Sequence, residues 1–135
     1  MKAWILMVLA LTLPVAAMAE EKEEAAAPKV AYISLSPPLV GNYALDGSPR
    51  LRVYKADVAL KVEGDADAAA VKHHEPLIRN QLVALFTQQS LDGMSNVEAK
   101  EKLRQEALKQ VQQVLANEEG RPVVEDLLFN NLIVQ

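Results

Sequence analysis

The chain has two histidines, His73 and His74, and no cysteine, which bounds its metal and nucleophile chemistry at once. Neighbours in a helical stretch point about 100° apart, so these two imidazoles cannot share one metal ion. No H-x-x-x-H spacing is present to set two imidazoles on one helix face. One half-buried and one surface histidine are expected, with His74 on the apolar side. Asp65 and Asp67 have the spacing that opens a calcium loop, but its glycine and distal glutamate are missing; helix capping is their expected role. There is no G-x-S-x-G elbow and no glycine loop to cradle a phosphate. Serines are scattered, so no triad can be assembled from spacing. The acid pairs Glu118/Glu119 and Glu125/Asp126 flank a turn and a strand, where solubility accounts for them. No catalytic, cofactor-binding or metal-binding residue is therefore expected, and the function sought is not enzymatic.

Charge narrows the partners. The net charge is −4 with no basic tract, which argues against nucleic acid and against anionic lipid headgroups. A protein partner is what remains.

The first residues give an address. Lys2 supplies a positive start, Ala3 to Leu13 is almost wholly apolar, and Ala17-Met18-Ala19 has the A-x-A form of a signal-peptidase exit. Pro14 would stop a helix and leave that exit extended. A spanning helix needs about 20 apolar residues, more than the stretch from Ala3 to Ala19 offers. Residues 1–19 are thus expected to be a signal peptide that exports the chain to the periplasm. The alternative is an uncleaved anchor in the inner membrane. Trp4, the only tryptophan, lies in this segment. Residues 20–28 (EEKEEAAAP) form an acidic, alanine-rich leader without a sustained apolar period. Residues 29–135 are left as one domain, which without disulfides must rest on burial.

The remaining pattern predicts elements that alternate in period. Val30 to Leu35 is β-compatible and is ended by Ser36-Pro37-Pro38, since proline cannot donate to a ladder. Leu39 to Leu45 is a second short strand, weakened by Gly41. After the turn Asp46-Gly47-Ser48-Pro49, Leu51 to Val62 alternates cleanly, with Tyr54, Ala56, Val58, Leu60 and Val62 on one face. The turn between them makes an antiparallel hairpin the natural pairing. From Asp67 the period becomes helical: His74, Leu77, Ile78, Leu82, Leu85 and Phe86 share a face, with a kink or fresh start at Pro76. Ser95-Asn96-Val97-Glu98 reads as a capping box opening a second helix, with Ala99, Leu103, Ala107, Val111 and Leu115 as its apolar stripe. Glu118 to Pro122 is a turn, and Val123 to Val134 is a strand apolar enough to be covered on both faces. The order β-β-β-α-α-β predicts an α+β fold, two helices on a mostly antiparallel sheet of about four strands.

These pieces, in this order, resemble the flagellar basal-body-associated FliL family from about Lys29 to Gln135. The match is carried by Tyr32-Ile33-Ser34-Leu35 with its following proline, the strand Leu51 to Val62, Glu75-Pro76-Leu77-Ile78-Arg79-Asn80 opening Gln81 to Gln89, Ser95 to Glu106, and the terminal strand ending Ile133-Val134-Gln135. Each piece is weak alone; five in sequence are more specific. The resemblance implies a periplasmic domain similar to the stomatin-type (SPFH-like) fold, close to the inner membrane. It also implies a non-enzymatic role in motility beside the flagellar stator and motor proteins, in which homo-oligomers, including rings, form. On that analogy Arg79, Lys100 and Arg104 are the charged positions expected to touch a partner. Two departures stand out: a signal-like start with Pro14 where relatives keep a spanning helix, and Ala99 where they often have glycine. An interaction module of the same fold serving another membrane-protein client is the alternative.

Overall fold

The computed structural model describes residues 29–47 and 49–135; the signal-like segment, the whole leader and Ser48 lie outside them. The sheet is organised around one long strand. β1 (Val30–Ser34) and β2 (Leu39–Tyr43) both run antiparallel to β3 (Arg52–Glu63), while β4 (Val124–Val134) pairs with β3 from Tyr54 to Val62. Because β4 occupies one edge of β3, β1 and β2 must lie end to end along the other. They are one edge strand interrupted at the prolines: Ser34 sits opposite Ala59 and Leu39 opposite Ala56, so residues 35–38 face only 57 and 58. Leu35 resumes the ladder by donating to the Val58 carbonyl at 2.9 Å.

Among the described residues, three helices and one short 3₁₀ turn cover a single face of this sheet. They are α1 (Asp65–His73), α2 (Glu75–Thr87) and α3 (Val97–Glu119), with the turn at Asp92–Met94. The α+β layout agrees with the pattern of periods, but one expected helix has become two. The chain takes the fresh start at Pro76, which stands in the first turn of α2, where a missing N–H breaks no intrahelical bond. α1 is capped by Gly64 with no side-chain cap, so Asp65 and Asp67 act from its first turn rather than at the N-cap. The expected capping box is replaced by a simpler device. Asn96 is the cap and accepts from the Ala99 N–H at 2.8 Å, while Ser95 Oγ donates to the Asp92 carbonyl. α3 runs to Glu119 and ends on Gly120 in the left-handed region (φ 77°), so the first half of the expected turn is helical.

The core fills the space between the alternating face of β3 and the helices. Tyr54, Ala56, Val58, Leu60 and Val62 are all fully buried, together with Ile78, Leu82 and Phe86 of α2 and Leu103, Ala107, Val111 and Leu115 of α3. Leu77 does not join them; it is 39% exposed, turned off the stripe that Ile78, Leu82, Leu85 and Phe86 form. The terminal strand departs furthest from its pattern. Only Val124 and Leu127 of β4 are buried, and Ile133 is 44% exposed. Among the described residues helices lie on one face alone, so the apolar run has a covering layer for only part of its length.

Candidate functional site

α3 leaves its cap beside the second half of β4, and an open cleft of about 560 Å³ lies between them. Helical spacing sets its floor: Val97 and Glu101 are four apart, as are Lys100 and Arg104, so all four project from neighbouring turns. The opposite wall is the strand from Leu128 to Leu132.

Arg104 is spent inside the fold. Its Nε and Nη2 donate to the two carboxylate oxygens of Glu101 at 2.9 and 2.6 Å. Its Nη1 donates to Asp126 Oδ1 at 2.7 Å and to the Leu127 carbonyl at 3.1 Å. This fork ties the middle of α3 to β4. The hydrogen bonds from Arg104 hold the Glu101 carboxyl below the usual carboxylate range, and Glu101 in turn pushes the guanidinium up. Asp126 is therefore a link in the fold, not a solubilising charge, and its other partner is the Leu127 N–H at 2.8 Å.

Arg79 lies elsewhere, on α2, and is likewise engaged. Its Nη1 donates to the Pro37 carbonyl at 2.7 Å and approaches Glu75 at 3.9 Å, fastening the break between β1 and β2 to the helix layer. Lys100 differs from both. It is half-buried, and its ammonium has no hydrogen bond or ion pair among the described residues. The three expected contact residues thus do not form one surface: Lys100 and Arg104 share a cleft, and Arg79 sits at the proline link.

Glu119 and Glu125, expected to be mere solubilisers, also make cross-links, and so does Asp67. His74 Nε2 and Glu119 Oε1 lie 2.7 Å apart, joining the α1–α2 elbow to the end of α3. Arg121 pairs with Asp67, and Lys61 meets Glu125 at 3.7 Å. Sequence spacing could not show these pairings, because their partners are 45 to 64 residues apart along the chain. Glu63 also meets Glu125, and the shared hydrogen bond with that second carboxyl pushes the Glu63 carboxyl up. Among the described residues no three His, Cys, Asp or Glu side chains are grouped to hold a metal ion. No helix among them is long and apolar enough to cross a membrane.

The described residues form an α+β fold with an open cleft of helix and strand edge that carries fixed charges. The chain belongs to the flagellar basal body-associated protein FliL family, whose model matches residues 32–135, nearly all of the described domain. Membership makes it a structural component associated with the flagellar basal body. A comparison with curated proteins finds no match.

Proposed function

We propose that this protein supports the stator and motor of the flagellum through protein–protein contacts in the periplasm, without catalysing a reaction. The observation that carries this reading is the family match from residue 32 to residue 135. The cleft between α3 and β4, with its half-buried and unpaired Lys100, suits such contacts. In this reading residues 1–19 are a signal peptide or an anchor, residues 20–28 a leader, and residues 29–135 the working domain of the stomatin-like type. Homo-oligomers, rings among them, belong to the same proposal.

Deleting the gene tests it. Swimming should be impaired, and a fluorescent stator protein should be recruited less well to the motor. Normal swimming with undiminished recruitment would remove the motor reading and leave a different membrane-protein client. Intact mass of protein from periplasmic and membrane fractions decides the N-terminal part: a species starting at Glu20 means release, a full-length membrane species means an anchor.

A further inference from the structure

The register of β4 shows which of its main-chain groups face away from the sheet. Gln135 and Val53 exchange both of their main-chain hydrogen bonds, at 2.9 and 3.2 Å, so Val53 faces β4. Val58 sends its carbonyl the other way, to Leu35. Odd-numbered residues of β3 therefore bond to β4, and even-numbered ones bond to β1 and β2. On β4 the partners of the even-numbered residues point outward: Leu127 opposite Leu60, Phe129 opposite Val58, Leu132 opposite Ala56 and Val134 opposite Tyr54.

This outer edge is treated unequally along its length. In the first half side chains of α3 and of β4 itself satisfy it: Gln112 donates to the Val124 carbonyl at 2.8 Å, Arg104 donates to the Leu127 carbonyl, and Asp126 accepts from the Leu127 N–H. From Phe129 onward the outward groups find no partner among the described residues. That half borders the cleft, flanked by Val97, which is 84% exposed, and by the unpaired Lys100. An unpaired edge beside apolar surface is a template for another strand.

We propose that the outer edge of β4 from Phe129 to Val134 binds an extended peptide segment of a partner protein, adding it as a fifth strand. The segment carries apolar side chains at alternate positions and one carboxylate that meets Lys100. Charge selects this occupant over a second copy of the chain. Residues 128–135 (LFNNLIVQ) carry no acidic side chain, so the β4 edge of a second copy laid on this one offers Lys100 no carboxylate from its strand. The β-bulge at Asn130, where Val58 faces Phe129 and Asp57 faces Asn131, bends the edge between Phe129 and Leu132, so the added strand must follow that bend and is a short one. The surface follows from the edge itself, so it stands or falls separately from the motor assignment.

The test uses the ¹⁵N-labelled full chain and two synthetic hexapeptides of alternating valine and threonine, one with a central glutamate and one with lysine there. The glutamate peptide should slow amide exchange at Phe129, Leu132 and Val134 and bind roughly two- to fivefold more tightly than the lysine peptide. Lys100→Glu should reverse that preference, and Leu132→Pro, which removes an outward N–H, should abolish binding. Lys100→Glu is a surface change and keeps the test decisive if the proline variant unfolds. Equal binding of the two peptides, protection confined to the β1–β2 edge, or no protection at the solubility limit of either peptide overturns the proposal. Protection of the same amides by self-association, without peptide, overturns the choice of occupant.

Discussion

Gly41 lies directly opposite Tyr54 in the β2–β3 ladder, and the Tyr54 ring covers the space a side chain would need. A Cβ at Gly41 would stand 2.7 Å from the Tyr54 hydroxyl and 2.9 Å from two ring carbons. The ring cannot swing aside easily, because it is fully buried and packs edge-on against Phe86 with centroids 5.4 Å apart. The glycine that weakens β2 as an isolated strand is what lets the tyrosine lie flat on it.

Gly41→Ala should therefore destabilise the fold by about 1–3 kcal/mol, the usual range for overpacking, read from chemical denaturation. The Tyr54 hydroxyl is buried with no hydrogen bond of normal geometry. Burial pushes its phenol up, and Thr87 nearby opposes that only in part. Tyr54→Phe should change stability by no more than about 1 kcal/mol. In the double variant part of the Gly41→Ala loss should return, since the nearest clashing atom is gone. Strict additivity would mean that the ring carbons, not the hydroxyl, carry the clash.

Leu103 is 3% exposed at the centre of the α3 stripe. Leu103→Ala should cost about 2–5 kcal/mol, the range for truncating a core leucine. An effect below half of the lower figure would mean that the neighbouring turns collapse into the gap.

Arg104 makes four hydrogen bonds to two elements, so its loss should register as stability before it registers as partner binding. Arg104→Ala should destabilise by about 1–3 kcal/mol, because Asp126 and the Leu127 carbonyl lose their donor. Arg104→Lys should recover less than half, since one ammonium cannot reproduce the fork. Lys100→Ala should leave the unfolding midpoint unchanged. A Lys100→Ala variant as unstable as Arg104→Ala would overturn this division of roles.

Two exposed carboxyls should bend the acid side of the stability profile in opposite directions. Arg104 holds Glu101 below its ordinary range, so its contribution is present above that range and is lost as pH falls through the lowered value. Glu125 pushes Glu63 up, so the protonated form is favoured in the fold, and that contribution fades as pH rises through the raised value. Glu101→Gln should flatten the loss of stability on acidification. Glu63→Gln should raise stability near neutrality relative to acid. Thermal melts across the acid range check both, and parallel profiles for the two variants would contradict the assignment.

Much of this was legible in the order of residues, and the misses have a common cause. The period-two run from Leu51 to Val62 and the four-residue stripe from Leu103 to Leu115 identify their elements because each needs one buried face, and that need is written locally. Pro76 narrowed its segment to a kink or a fresh start, and the fold took the fresh start. The FliL family resemblance also rests on such local pieces. The terminal strand misled because hydrophobicity records how apolar a segment is, not whether a second layer exists to cover it. Only the packing of helices on one face left the far half of β4 bare.

The candidate site divides in the same way. Sequence alone determined that there is no cysteine and that the two histidines are neighbours, because residue types and spacing suffice for that. It could not separate Lys100 from Arg79 and Arg104, three cations on helix surfaces. Tertiary structure decided which of them are consumed: Arg104 by Glu101 and Asp126, Arg79 by the Pro37 carbonyl, and Lys100 by no described residue. The free edge of β4 was likewise invisible, since it depends on which strand lies beside which. Local pattern sets what each segment can become; long-range pairing alone sets which groups are left over for a partner.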